Sequence, residues 1–221
     1  MQQRQTLPLQ RCPHCQVAKP YFETSVQFST SNSNRENERR WWCYSCSSCG
    51  GAVMTVAAID PKTERYGPIS GMWPAPREVD VAVPERAREF LEQAIASIHA
   101  PAGAVMLTAS AVDSMLKEKG LKEGALYKRI GEAAKAHLIT EEMAKWAHEV
   151  RLEANDQRHA DENAALPNEA DADRVIEFAT ALAQFLFVLP ARVKAGLEGA
   201  SDTVGSTEPD EHTQPTPTFE F

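Results

Sequence analysis

The sequence lacks several features that would assign it to a common class of protein. No apolar run approaches the roughly 18 to 20 residues that span a bilayer, and the N-terminus has no apolar signal-peptide core. Lys and Arg number 23 against 31 Asp and Glu, and this net charge of -8 argues against a general polyanion binder. No glycine-rich phosphate loop or Ser-His-Asp set stands out. These absences predict a soluble, cytoplasmic protein that does not bind a membrane.

Cysteine is absent after Cys49, and all five cysteines lie within residues 12–49. Short Cys-x-x-Cys pairs in a cytoplasmic chain indicate a metal site, whereas dispersed cysteines would indicate disulfides. Two such pairs complete a tetrahedral shell of thiolates, which is typical of a zinc ribbon. We predict one structural Zn²⁺ on four thiolates: Cys12, Cys15, Cys46 and Cys49. Two alternatives stay open, a ligand set that includes Cys43 and, more weakly, one that includes His14.

The order of patterns along the chain predicts an α+β protein that is mostly α. Residues 1–11 have no pattern and are expected to be disordered, and residues 12–59 form the small zinc-ribbon β-hairpin domain. Residues 60–83 contain four prolines and two glycines, which predicts a linker. Residues 84–198 follow a helical period, and residues 199–221 have the composition of a disordered acidic tail.

Five stretches of helical period occur between residues 84 and 190, and short segments connect them. Short connections favour antiparallel neighbours, so we expect an up-and-down bundle of about five helices. The last helix is predicted to end at Pro190, because proline disrupts a helix interior.

The helix predicted for residues 140–160 has a polar row beside its apolar stripe. The stripe has members three or four residues apart: Met143, Ala147, Val150 and Ala154. Arg151, Asn155 and His159 follow at i, i+4 and i+8, so they lie along one edge of the helix. A polar row next to a core must find partners or line a cleft. We predict a mainly structural row, partly buried and hydrogen-bonded.

The same row contains groups that metal-independent RNA cleavage would need. His159 can transfer protons near neutral pH, Arg151 or Arg158 can hold a phosphate, and Asn155 can orient either group. A catalytic role for Arg151, Asn155 and His159 is therefore the alternative hypothesis.

The zinc-ribbon motif CPHC…CSSCGG followed by a helix reading VRLEANDQRHAD resembles the DUF4145 family over roughly residues 10–190. Members show an Arg, a Gly-Asn pair and a His, and these positions match Arg151, Asn155 and His159, with Ala154 in place of the glycine. Members occur in prokaryotes and phages, often attached to restriction-type nucleases.

The DUF4145 family is similar to the HEPN superfamily, many members of which are metal-independent RNases in toxin–antitoxin and phage-defence systems. The resemblance implies a HEPN-like bundle, a homodimer and a role in prokaryotic or phage conflict. Arg151 and His159 lie further apart than in catalytic HEPN proteins. We therefore expect a non-catalytic binding or accessory protein, with a HEPN-type endoribonuclease as the alternative.

A third hypothesis is a zinc ribbon that binds nucleic acid. Arg35, Arg39 and Arg40 would supply cations, and Trp41 and Trp42 would supply stacking surfaces. The same tryptophans can instead belong to the core of the hairpin. The expected partners are thus a second copy of the chain, another protein or RNA.

Overall fold

The computed structural model describes residues 1–60, 63, 65–159 and 165–204. It has an N-terminal four-stranded antiparallel sheet followed by a helical bundle, which confirms the mostly α, α+β class. The predicted linker, helix and tail boundaries differ in several places, described below. Residues 205–221 of the predicted acidic tail lie outside the described residues.

The sheet contains β1 (Phe22–Thr30), β2 (Arg39–Cys46), β3 (Ala52–Ile59) and β4 (Tyr66–Trp73), in that order from edge to edge. The strand β4 falls inside the segment that the sequence predicts as a linker. Proline and glycine are tolerated there because β4 lies at the edge of the sheet.

The inner face of the sheet has its own small core, which the N-terminal residues cover. Side chains two apart along β2 point inward, and Trp42 and Tyr44 are buried there with Leu7 and Leu9. The hydroxyl of Tyr44 donates to the carbonyl of Arg4 at 3.0 Å. The expectation that residues 1–11 are disordered is therefore wrong, since their leucines supply part of this core.

Over the described residues the bundle contains six helical segments: α1 (Glu85–Ala96), α2 (Pro101–Glu118), α3 (Leu126–Lys135), α4 (Glu141–His159), α5 (Glu169–Ala183) and α6 (Leu189–Val204). A π-helical turn, Gln184–Val188, joins α5 to α6. The central helix is α2, which packs against α1, α4 and α5. A single apolar cluster runs from Val83 to Val188.

The helix at the end of the bundle passes through Pro190, where the sequence predicts that it ends. In the preceding turn the amide of Leu189 donates to the carbonyl of Gln184, a wider i→i−5 bond. This turn makes room for the proline ring, which a regular α-helical turn would exclude. The helix continues to Val204, past the predicted start of the tail at residue 199.

Side-chain caps mark the starts of α4 and α5 and are missing at the starts of α1, α2 and α3. Thr140 accepts from the amide of Met143 at the start of α4, and Asn168 forms a capping box with Asp171 at the start of α5. Helix α3 starts after Ala125, whose side chain has no hydrogen-bond acceptor.

Two polar contacts join the sheet part of the chain to the bundle. The ring of His99 donates to the carboxylate of Glu169 at 2.9 Å and to the carbonyl of Cys15 at 2.7 Å. Arg77 pairs with Asp173 on α5. The Glu169 carboxylate and then the Cys15 carbonyl raise the pKa of His99 above its ordinary value.

Within the described residues, one continuous helix, Glu169–Glu198, is long and apolar enough to cross a membrane. This is weak evidence for a membrane span, because a core helix of a soluble protein passes the same test. Its buried face packs against α1 and α2.

Candidate metal centre and polar cleft

The four predicted zinc ligands meet at one end of the sheet. The sulfurs of Cys12, Cys15, Cys46 and Cys49 all lie within 4.8 Å of one another. The first pair lies in the turn before β1, and the second lies at the end of β2 and in the turn that follows it. Among the described cysteines, Cys43 alone lies outside this group.

Both cysteine turns have the same backbone geometry. The amide of Gln16 donates to the carbonyl of Cys12 at 2.9 Å, and the amide of Gly50 donates to the carbonyl of Cys46 at 2.8 Å. Both donors have a positive φ, 56° at Gln16 and 73° at Gly50. Only Gly50 adopts this φ without steric cost.

His14 packs against the second turn and does not belong to the sulfur group. Its Nε2 bonds with the carbonyl of Ala52 at 2.8 Å. A Cβ atom at Gly51 would lie 2.5 Å from the ring of His14, so only glycine fits there. The glycine after the second pair thus leaves room for an aromatic ring.

The sulfur group has the dimensions of a tetrahedral metal site. A zinc–sulfur bond of about 2.3 Å places tetrahedral sulfurs about 3.8 Å apart. The sulfurs of Cys12 and Cys49 are 3.9 Å apart, and the amide of Gly51 lies 3.4 Å from the Cys49 sulfur. The four cysteines can therefore hold one thiophilic metal ion.

The protein environment favours a thiol at Cys12 and a thiolate at Cys46. Burial raises the pKa of Cys12 to about 12. At Cys46 burial also favours the thiol, but the amides of Cys49 and Ser48 and neighbouring thiols outweigh it and lower the pKa to about 7. A divalent cation would displace the remaining protons, because thiolates are the binding form.

The structure does not bring Arg151, Asn155 and His159 into one buried network. Asn155 and His159 are exposed, and neither forms a hydrogen bond with another described residue. Arg151 is half-buried over the ring of Tyr127, with its guanidinium carbon 5.4 Å from the ring centroid. The expected burial is wrong for two of the three residues. Among the described residues, the start of α3 and Asn155 line a common cavity, so α3 does not cover the end of α4.

A polar cluster that the sequence reasoning missed lies between α3 and α4. The rings of Tyr127 and His148 are 4.8 Å apart, and burial, followed by the charge of Arg151, lowers the pKa of His148. The Nδ1 of His148 and the Nε of Arg151 are buried, and neither has a hydrogen-bond partner in the described part of the chain. The i, i+3 spacing of His148 and Arg151 is the signal that could have identified this pair.

Two adjoining cavities form a cleft beside the N-terminus of α3, with volumes of about 660 and 160 Å³. Both are lined by Leu126 and Arg158. Tyr127, Arg151 and Asn155 line the smaller cavity, so two of the three residues of the row do line a cleft.

The larger cavity contains a buried ion pair. Arg129 is 9% exposed and donates to Asp113 at 2.6 Å and to the carbonyl of Lys122 at 3.4 Å. Lys117 reaches the other oxygen of Asp113, also at 2.6 Å. One carboxylate therefore neutralises two cations.

The outer face of the sheet has a row of aromatic side chains, Phe28, Trp41 and Trp73, of which Trp41 is half-buried. The ring centroids of Phe28 and Trp41 are 6.1 Å apart with planes 8° from parallel, and Trp41 and Trp73 are 5.8 Å apart. Phe28 is 45% exposed and Trp73 is 50% exposed. Trp42 lies in the core on the inner face, so the two adjacent tryptophans have different environments.

The predicted cations of the ribbon are also divided between faces. Arg39 alternates with Arg40 along β2, which places Arg39 on the outer face with Trp41. Arg40 lies on the inner face, with its guanidinium carbon 4.3 Å from the centroid of the Tyr66 ring. Arg35 lies in the loop between β1 and β2.

Comparison with known proteins identifies the helical part of the chain. The family model described as a domain of unknown function (DUF4145) matches residues 92–199, a range that includes the row on α4. Comparisons with curated proteins and with solved structures found no match. Residues 92–199 of the chain are therefore a DUF4145 domain.

Proposed function

We propose that this protein is a non-catalytic binding protein whose zinc ribbon binds single-stranded nucleic acid on its outer sheet face. The observation that carries the proposal is the row of exposed Phe28, half-buried Trp41 and exposed Trp73. A contiguous exposed aromatic surface is uncommon in a monomeric protein and indicates a binding site.

The geometry of the row suits flat ligands. Parallel planes with centroids 6.1 Å apart are laterally offset, so the rings of Phe28 and Trp41 do not cover each other completely. Every nucleobase has a π face, and stacking on aromatic side chains is tolerant of sequence. The row can therefore receive two or three successive unpaired bases.

The charge of the ribbon favours the binding of a polyanion, whereas the charge of the rest of the chain does not. Six of the 23 Lys and Arg and three of the 31 Asp and Glu lie in residues 1–59, so this part is formally +3 and the remainder is -11. Four thiolates and one divalent cation contribute -2, and the ribbon stays slightly positive. Arg39 lies on the same face as the aromatic row, close enough to accompany a backbone phosphate.

The metal that we propose for the cysteine group is a structural Zn²⁺. Four protein thiolates leave no open coordination position, and such a site stabilises a fold without catalysing a reaction. Reduced thiols also agree with the cytoplasmic location that the sequence predicts.

The biological setting follows from the resemblance to HEPN proteins. We propose that the protein acts as a homodimer in prokaryotic or phage conflict.

The test is binding of a short labelled pyrimidine oligonucleotide, followed by fluorescence anisotropy at low salt. Trp41→Ala should weaken binding about tenfold, since one base loses its stacking partner. Phe28→Ala should weaken it less, and Phe185→Ala, an exposed aromatic residue of the bundle, should have no effect. Metal content and circular dichroism check that each variant is folded.

Equal affinity of the wild type and both ribbon variants would refute the proposal. A self-association that Trp41→Ala abolishes, without oligonucleotide binding, would assign the face to a second copy of the chain.

A second candidate function is a HEPN-type metal-independent endoribonuclease. It is favoured by the cleft position of Arg151 and Asn155 and by the exposure of His159 on the same helix. Purified protein would be incubated with total RNA beside His159→Ala. Because His159 is exposed, this variant should keep its melting temperature, so loss of cleavage alone would support the enzyme.

A further inference from the structure

We propose that the cleft beside the N-terminus of α3 binds the phosphate group of a small phosphate monoester, such as a nucleoside monophosphate. This inference concerns the helical domain and is independent of the proposed nucleic-acid face of the ribbon.

The cleft has an excess of positive charge. Its lining has five cations and two carboxylates, although the chain as a whole has a net charge of -8. Asp113 is already shared by Arg129 and Lys117. Three further lining arginines form no ion pair with any residue that the structure describes: Arg86, Arg151 and Arg158. A local excess of cations attracts anions even on a protein whose net charge is negative.

Two arginines of the cleft have buried guanidinium nitrogens. The Nε atoms of Arg129 and Arg151 are buried, and neither has a hydrogen-bond partner within the described ranges. Burying a cation without a counterion is costly. Arg129 has the carboxylate of Asp113, whereas Arg151 has only the ring of Tyr127. A bound anion would supply the missing negative charge.

The start of α3 also lines the cleft. Gly124, Ala125 and Leu126 line the cleft, and they precede and begin α3. The first amides of a helix lack intrahelical partners and favour anions. No acidic residue lies in the first turn of α3, and Ala125 cannot cap it. The amides are therefore available to a ligand.

The chemistry selects phosphate, and the dimensions select a small organic phosphate. A guanidinium group can bond two phosphate oxygens at once. A phosphate monoester offers more oxygens to several guanidinium groups than the carboxylate of a peptide does. Cavities of about 660 and 160 Å³ exceed the size of an inorganic ion. The ring of Tyr127, 64% exposed, borders the smaller cavity and can contact an attached base.

The experiment compares three ligands by isothermal titration calorimetry on the full chain: adenosine monophosphate, inorganic phosphate and adenosine. We expect adenosine monophosphate to bind most tightly, phosphate to bind more weakly and adenosine not to bind. Arg158→Gln and Arg151→Gln should each weaken nucleotide binding about tenfold, because each removes a cation from the cleft. Arg192→Gln, an exposed arginine on α6, should leave it unchanged.

Two results would overturn the inference: absence of binding by both phosphates, or nucleotide affinity that neither Arg158→Gln nor Arg151→Gln reduces. Arg158 is exposed, so its variant should fold even if Arg151→Gln does not. Trp41→Ala should leave nucleotide binding intact, and Arg158→Gln should leave oligonucleotide binding intact. The proposed oligonucleotide site and the proposed phosphate site can therefore be refuted independently.

Discussion

Removal of the metal should unfold the sheet part of the chain and leave the bundle folded. The two hydrophobic clusters have no residue in common, since one extends from Leu7 to Val53 and the other begins at Val83. The smaller cluster has eight buried residues, and two of these are the proposed ligands Cys12 and Cys46. Six other side chains are a small core for a domain of this size.

The energy involved is large for such a domain. Structural zinc contributes roughly 10–16 kcal/mol in zinc-finger peptides at neutral pH. Small domains have a total stability of about 5–15 kcal/mol. The free energy lost with the ion should therefore exceed the stabilisation that the apolar contacts of the sheet can supply.

The assay uses the uneven distribution of two spectroscopic signals. Every helix in the described part of the chain begins at or after Glu85, whereas three of the four tryptophans, Trp41, Trp42 and Trp73, lie in strands of the sheet. A chelator should therefore change the tryptophan fluorescence strongly and the circular dichroism at 222 nm only slightly. Cys46→Ser should reproduce this result without a chelator.

Cys43→Ser is the matched control, because Cys43 lies outside the sulfur group. It should keep the metal and both signals. A parallel loss of both signals in the chelator would refute the independence of the two cores. Equal metal loss in Cys43→Ser and Cys46→Ser would refute the ligand assignment.

Three further predictions concern the bundle and its contacts. Asp113→Ala should lower the free energy of unfolding by about 3–5 kcal/mol in a denaturant titration, because Arg129 would remain buried without its carboxylate. Lys117→Ala should lower it by less than about 1 kcal/mol in the same titration. Similar losses in the two variants would contradict the view that the pair of Asp113 with Arg129 is the stabilising one. The raised pKa of His99 implies that its contribution is complete below its ordinary value near 6.5 and is lost as the pH rises through the higher folded value. The melting temperature of the wild type should thus fall over that range relative to His99→Gln, and parallel curves would show that the contact with Glu169 is not stabilising. We also expect a homodimer, and a monomer mass that does not change with concentration in light scattering would exclude it.

Local spacing was sufficient to predict the cysteine group and the bundle. Two Cys-x-x-Cys turns require only short-range geometry, and the helices have apolar residues at a regular period. The strand β4 was not predicted, because Pro68 and two glycines indicate a loop unless the strand lies at an edge. The leucines at residues 7 and 9 alternate like a strand, but the pattern is too short to separate from chance.

The row on α4 shows a different limit of sequence reasoning. The period of the helix places Arg151, Asn155 and His159 on one edge, and this placement holds. Burial depends on where the neighbouring helix begins, which is decided by packing between segments distant in sequence. The short α3 begins beside Asn155 and leaves His159 in solvent.

The contact between Met1 and the sheet affects how the protein should be produced. The carbonyl of Met1 accepts a hydrogen bond from the amide of Ile69 in β4 at 2.8 Å, and Gln3 bonds with the backbone of Arg40 and Thr55. An affinity tag fused before Met1 would extend directly from these contacts and compete with them. A tag joined after Phe221 would be separated from α6 by residues 205–221. Metal and nucleic-acid measurements should therefore use a C-terminal or cleavable tag.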